Sequence, residues 1–176
     1  MVKKLLLLSI ISIILIGCDD AERKSAKIID STVEGLEYQC AGSVHYTNKD
    51  GIATCKHMPM GFKVGEIFIG MINNIPKDGI IVPQDMVGVN RSNINNENVK
   101  KVTIILQTLD ADHNPSNGIT ISKDTREKLK IFVDMQHTSL NDIKDIIDAQ
   151  LGDQNYTTAQ NAIKHLRRSM KLFNVK

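Results

Sequence analysis

The pattern of hydrophobic and polar positions divides the chain into two parts. Over residues 33–90, short runs rich in β-branched and aromatic residues alternate with Gly, Pro, Asn and Asp, which is typical of strands joined by turns. From residue 91 onwards, apolar residues recur at helical spacing. We therefore predict an α+β fold, with a small antiparallel β-sandwich-like half over 33–90 and a helical half of about four helices over 91–176.

Each predicted helix follows a polar residue that can cap its first turn. The caps are Asn95 or Asn96, Ser122, Ser139 and Thr157. The last two have a polar partner three residues on, which resembles a capping box. Apolar stripes behind these caps predict faces buried in the core rather than binding grooves. The stripe of the first helix is Val99, Val102, Ile105, Leu106 and Leu109.

The N-terminus has the pattern of an export signal. Residues 1–4 include two lysines, and the next twelve residues are apolar apart from two serines. This run is shorter than the about 20 residues that cross a bilayer, but it suits the hydrophobic region of a signal peptide. We predict a signal peptide over residues 1–17.

The sequence LIGC at residues 15–18 resembles the lipobox of bacterial lipoproteins. The resemblance implies cleavage before Cys18 and acylation of Cys18, and two or three acyl chains hold a protein on a membrane. An ordinary cleaved signal with a chance cysteine is the alternative. Residues 18–32 are polar and charged, and we predict a lipidated cysteine and tether there. The expected location is membrane-anchored in the bacterial cell envelope, facing the periplasm or the cell surface.

Composition narrows the possible partners. Loss of Lys3 and Lys4 with the signal peptide takes the formal charge from +2 to zero, and no long basic block remains, which argues against nucleic acid. The chain has no Trp, which argues against stacking platforms for sugars or bases. The expected partners are the membrane, through the lipid anchor, and an envelope or surface protein.

Cysteine usage predicts an oxidising compartment. With Cys18 consumed by lipid, Cys40 and Cys55 form an even pair, and TNKDG between them suggests a hairpin turn that would bring them face to face in a disulfide. A zinc site built from these two cysteines with His45 and His57 is an alternative, although its spacing matches no usual finger. Free thiols are a third.

The stretch LDADHNPSNGITI contains the one candidate metal loop. Asp110, Asp112 and Asn114 stand at positions 1, 3 and 5, as the first oxygen ligands of an EF-hand do. Asn117 adds another oxygen, and Gly118 offers the positive φ that a cradle needs. Calcium would be structural here, because a cage built from one loop leaves no open position for a substrate.

The loop also departs from an EF-hand. Pro115 stands at position 6 in place of glycine, and Ile121 stands at position 12 in place of the bidentate glutamate. A late carboxylate would have to come from Asp124 or Glu127. A looser calcium loop over 110–121 and a plain polar turn between two helices both remain open.

Several motifs recur in an order that resembles a module of exported bacterial lipoproteins and adhesin-like surface proteins. They are VEGLEYQC, TNKDGIATC, FKVGEIFIG, IIVPQDMVG, VKKVTIILQTLDADHNPSNGITI and AIKHLRRSM. The most specific is L-Q-x-L-D-x-D-x-N-P-x-N-G-I-x-I, and the resemblance spans Val33 to Met170. It implies an envelope role and no particular reaction.

No catalytic motif stands out in the chain. There is no G-x-S-x-G, no H-E-x-x-H and no phosphate loop. We therefore expect a non-catalytic binding or surface-interaction module. A periplasmic hydrolase or metal-dependent enzyme is the alternative, and it would need a pocket that gathers His45, His57 or His165 with carboxylates. An accessory subunit of an envelope assembly is another.

Overall fold

The computed structural model describes residues 23–175. The predicted signal peptide, Cys18 and the start of the predicted tether lie outside the described residues.

Within residues 23–175, ten strands form three sheets. The strands are β1 (Lys24–Ile28), β2 (Val33–Glu34), β3 (Glu37–Cys40), β4 (Ser43–Tyr46), β5 (Ile52–Cys55), β6 (Met60–Val64), β7 (Ile67–Ile72), β8 (Ile80–Ile81), β9 (Ile119–Thr120) and β10 (Val133–Asp134). The largest sheet has the order β10-β7-β6-β3-β4, the second has the order β5-β1-β8, and the third pairs β2 with β9.

Five helices lie in the described part of the chain. They are α1 (Pro83–Met86), α2 (Glu97–Thr108), α3 (Lys123–Lys128), α4 (Leu140–Leu151) and α5 (Ala159–Leu172). None of the helices within 23–175 is long and apolar enough to cross a membrane.

The predicted α+β class is confirmed. The N-terminal half is rich in antiparallel strands, and four of the helices follow residue 91. The two halves are interleaved, however, since β9 pairs in parallel with β2 and β10 pairs in parallel with β7. One hydrophobic core spans both halves, and the predicted apolar stripe of α2 is buried in it.

The helix caps follow the sequence closely. Asn96, Ser122 and Ser139 each accept a hydrogen bond from a backbone N–H in the first turn of α2, α3 and α4. The cap of α5 is Thr158, one residue after the predicted Thr157. Within α5, Ala159 is exposed and Ala162 is buried.

The prediction that residues 24–32 form part of a tether is wrong. This segment contains β1, which is the central strand of its sheet and pairs with β5 and β8. Ala26 and Ile28 point into the core while Lys24 is exposed and Lys27 is only partly buried. The period-2 alternation was present in KSAKI, but its lysines gave the segment the composition of a linker.

Two strand assignments also need correction. TNKDG is a turn, but the strands on either side of it do not pair, because β4 pairs with β3 and β5 pairs with β1. The side chain of Asn48 accepts the N–H groups of Asp50 and Ile52 and redirects the chain to the second sheet. FKVGEIFIG, an unbroken run within the predicted β-rich half, forms two strands: it is the β6–β7 hairpin, with Gly65 in its turn and the register shift at Phe62 and Lys63.

Candidate functional site

The loop over residues 110–121 connects α2 to α3 and includes β9. Its neck is closed by a bridge between Asp110 and Ile121 and by the hydrogen bond from the Ala111 N–H to the Thr120 carbonyl, at 3.0 Å. The N–H groups of Ile119 and Ile121 donate to backbone carbonyls around β2, at 2.8 and 2.9 Å. The C-terminal end of the loop is therefore fixed to the N-terminal half, and the bridge ties the start of the loop to that end.

Asp110 is the buried carboxylate of the loop. Its side chain is 2% exposed, and it accepts the Asn114 N–H at 2.9 Å and the Thr120 N–H at 2.8 Å. Burial raises the pKa of Asp110, and these two backbone hydrogen bonds act in the opposite direction.

Asp112 is the exposed carboxylate. It accepts the Asn117 side-chain amide at 2.8 Å and the Asn114 N–H at 3.0 Å, and these hydrogen bonds lower its pKa, with that from Asn117 the largest cause. Asp110 and Asp112 therefore converge on one N–H group, that of Asn114. No Lys or Arg of residues 23–175 forms an ion pair with either carboxylate.

The two asparagines hold the turn together. The Asn114 side-chain oxygen accepts the Ser116 N–H at 3.4 Å, and the Asn117 amide donates to Asp112. His113 and Gly118 have φ values of +56° and +126°, so the chain reverses at these two positions. Of the four predicted metal ligands, Asp110 and Asp112 present carboxylates to one place, while Asn117 acts there as a donor.

Of the two candidates for a late carboxylate ligand, only Asp124 shares a groove with the loop. Asp124 lines a groove of about 230 Å³ together with Asp110 and His113, and it forms an ion pair with Lys128 at 2.7 Å. Glu127 lines a different groove and pairs with Lys123 at 3.4 Å.

The oxygens of the loop partly fit a hard cation. Among residues 23–175, no group of three or more His, Cys, Asp or Glu side chains could hold a metal ion, so two carboxylates would need amide and carbonyl oxygens to complete a shell. Calcium accepts such mixed oxygen ligands, whereas structural zinc sites are built mainly from the nitrogen of His and the sulfur of Cys.

The loop also contacts Ser31, which lies in the segment predicted to be the tether. The Ser31 hydroxyl donates to the Pro115 carbonyl at 2.6 Å and lies 3.1 Å from Nε2 of His165. The Ser31 N–H donates to the hydroxyl of Ser169 at 3.1 Å, and Ser31 has a φ of +63°. Burial lowers the pKa of His165, which keeps its ring neutral near pH 7.

The histidines of the predicted enzyme alternative do not come together. His45 stacks on Tyr38 with 5.4 Å between ring centroids, and His57 lines a groove beside the disulfide. His165 meets the hydroxyls of Ser31 and Ser169, and its described hydrogen bonds within 23–175 include no carboxylate side chain.

Cys40 and Cys55 are joined in a disulfide, with the sulfurs 1.98 Å and the Cα atoms 5.7 Å apart. The pairing agrees with the predicted one, but the bond links β3 to β5 and so connects two sheets instead of the two strands of a hairpin. The alternative zinc site is wrong because both of its thiols are consumed by the disulfide.

Comparisons with protein-family models, curated proteins and solved structures find no match to this chain. Function is therefore inferred from the residues and their geometry.

Proposed function

We propose that this chain is a bacterial cell-envelope lipoprotein, held on the membrane by acyl groups on Cys18. Its domain would be a non-catalytic binding or surface-interaction module that calcium stabilises. The observation that carries the proposal is the order of a basic start, a short apolar run and LIGC within residues 1–18. The Cys40–Cys55 disulfide supports it, because such bonds persist in oxidising compartments.

The calcium part of the proposal rests on the two carboxylates of the loop. Asp110 and Asp112 converge without a basic partner among the described residues, and this like-charge pair would be relieved by a divalent cation. Asn114, Asn117 and Asp124 are the nearest further oxygen donors. Calcium bound here would fix the connection between α2 and β9, away from any substrate pocket.

Acylation is tested by feeding cells a palmitate analogue that carries an alkyne. The wild-type chain should be labelled and should shrink on removal of residues 1–17, whereas Cys18→Ser should be unlabelled. The matched control is the Cys40→Ser, Cys55→Ser double variant, which loses two cysteines but should keep the label. An unlabelled wild-type chain would contradict the anchor.

Calcium binding is tested by thermal melting of residues 19–176 with calcium and with a chelator. At a hundredfold excess over Kd, calcium should add about 2.7 kcal/mol, or about 5–10 °C in Tm for a domain of this size. Asp112→Asn should lose most of this shift. Asp145→Asn, which removes one exposed carboxylate from α4, should keep it. No calcium-dependent shift in the wild type would leave residues 110–121 as a polar turn.

One contact favours a hydrolase as the second candidate. The Ser31 hydroxyl lies 3.1 Å from Nε2 of His165 at a positive-φ position, which resembles a nucleophile beside a base. Against this, the Ser31 hydroxyl donates to the Pro115 carbonyl. A fluorophosphonate probe tests the point, because labelling that disappears in Ser31→Ala would overturn the non-catalytic proposal.

A further inference from the structure

We propose that the end of the domain that carries the Cys40–Cys55 disulfide lies on the bilayer surface. We call it the disulfide pole, and we define it by Lys24, the β3–β4 turn, residues 56–59 and the end of β7. Its exposed apolar side chains would contact the lipid interface. The inference rests on the proposed anchor at Cys18 and adds an orientation to it.

The first argument is the length of the tether. Lys24 pairs with Cys55, so β1 starts at the disulfide pole. Only five residues separate Cys18 from Lys24. At about 3.6 Å per residue, the Cα of Cys18 lies within about 20 Å of that of Lys24. A domain of this length is about 30–40 Å across, so the tether cannot carry the opposite end to the membrane.

The second argument is a row of four positions on the outer face of the largest sheet, which begins and ends with an exposed apolar side chain and has Gln39 and Gly61 between them. Strand register places Val44 opposite Gln39, Gln39 opposite Gly61, and Gly61 opposite Met71. Val44 and Met71 are 46% and 48% exposed, although both are large and apolar. The row lies at the disulfide pole, because Cys40 and Met60 are the next residues along β3 and β6.

A groove of about 290 Å³ continues this row. Met58, Pro59, Phe68 and Met71 line most of it, and the other lining residues include the polar Gln39 and His57 and the glycine Gly61, which has no side chain to fill the groove. Flexible methionine side chains beside an open apolar groove suit the irregular surface of a lipid interface. Such side chains would sit within about 5–10 Å of the boundary between headgroups and acyl chains.

Charge has a smaller part in this contact. Arg23, Lys24 and Lys56 stand near the disulfide pole, while the sequence places Asp19, Asp20 and Glu22 in the same short stretch. The three positive and three negative charges balance, so anionic lipid should change the binding of the domain to the membrane little. Apolar contact then decides which way the domain faces.

The opposite end of the sheet offers a rival surface. Ile131 and Phe132 are 48% and 70% exposed. They precede Val133, which pairs with Ile67 at the start of β7, about 13 Å along the strand from Met71. This separation is within the reach of the tether, so the choice between the two surfaces rests on the apolar groove at the disulfide pole.

The absence of Trp in the natural chain makes the orientation measurable. The full acylated protein is purified from membranes as single-Trp variants, Met71→Trp and Val44→Trp at the disulfide pole and Phe132→Trp as the control. Each is placed in phosphatidylcholine vesicles with brominated acyl chains, with or without phosphatidylglycerol. All three positions are exposed, so each variant is expected to fold, as circular dichroism would check.

We expect blue-shifted and quenched emission from Met71→Trp and Val44→Trp, and neither change from Phe132→Trp, with little effect of phosphatidylglycerol. Unquenched emission from both pole variants, or quenching of Phe132→Trp instead, would overturn the orientation. Flotation of the vesicles separates the two proposals. A floating protein with unquenched pole variants disproves only the orientation, whereas protein that stays at the bottom of the gradient disproves the anchor and the orientation together.

Discussion

At the residue scale, one titratable side chain of the domain is fully buried. Asp30 is fully buried between β1 and β2, and both of its carboxyl oxygens accept from the side-chain amide of Gln107, at 3.1 and 3.0 Å. Burial raises the pKa of Asp30 to about 8, and the Gln107 hydrogen bond acts in the opposite direction. The side chain is therefore largely protonated at neutral pH.

This raised pKa predicts a loss of stability at high pH. The folded chain keeps a proton on Asp30 that the unfolded chain releases above pH 4, so the contribution is complete below pH 4 and disappears as pH rises to about 8. Over that window, the free energy of unfolding should fall by about 1 kcal/mol per pH unit. Asp30→Asn should remove most of this pH dependence.

Urea denaturation at pH 5, 6, 7 and 8 measures the difference between Asp30→Asn and the wild type. The exposed Asp145→Asn serves as the control, since it should follow the wild-type slope. Parallel slopes for wild type and Asp30→Asn would show that Asp30 is already ionised in the folded chain.

A second residue-scale prediction concerns Gly65. A Cβ built there would lie 2.5 Å from the carbonyl oxygen of Leu129 and 2.7 Å from that of Arg126, at a φ of +58°. Gly65→Ala should therefore lower the free energy of unfolding by about 2–4 kcal/mol, because strain adds to overpacking. Gly79→Ala has a similar φ of +69° in open space and should cost only about 1 kcal/mol. Equal losses in chemical denaturation would refute the packing argument.

At the scale of elements, the sequence predicts the helix caps but not which strands pair with each other. Asn96, Ser122 and Ser139 cap helices as predicted, because a cap depends on three or four consecutive residues. β9 and β10 have two residues each and exist only through their partners β2 and β7, which lie more than 60 residues away in sequence. No local pattern contains that information.

The candidate site shows the same difference between features encoded by neighbouring residues and contacts that are distant in sequence. The residues of the loop were found from their spacing, since Asp110, Asp112 and Asn114 are close in sequence. Ser31, which donates to the Pro115 carbonyl, and His165, which contacts Ser31, come from opposite ends of the chain. Their contact depends on β1 being a strand. The sequence does not predict this strand, because the lysines of β1 give the segment the composition of a linker.

The capping of α4 gives a prediction at this scale. The Ser139 hydroxyl accepts the Asp142 N–H at 3.2 Å and donates to the Asp142 carboxylate at 2.7 Å. Ser139→Ala should cost about 1 kcal/mol, whereas Ser43→Ala, at an exposed position on the edge strand β4, should stay within about 0.5 kcal/mol of wild type. Denaturant melts compare the two, and equal values would deny Ser139 a stabilising role.

At the scale of the whole molecule, the disulfide connects the two larger sheets. It closes a loop with a sequence separation of 15 residues, which contains all of β4 and the turn to β5. Cys40→Ser with Cys55→Ser should lower stability by about 3 kcal/mol, through the entropy regained by the unfolded chain. A reductant should reproduce this loss in the wild type and leave the double variant unchanged. A wild type insensitive to complete reduction would contradict the prediction.

The parallel pairs β2–β9 and β7–β10 also govern when the protein can fold. During synthesis the N-terminal end emerges first, but β2 and β7 gain these partners only after residues 119–134 have followed. Such long-range pairing gives the fold a high contact order and exposes unpaired strand edges until late. The fold can therefore be completed only after most of the chain has been synthesised, and a fragment that ends near residue 90 would keep the edge of β7 open.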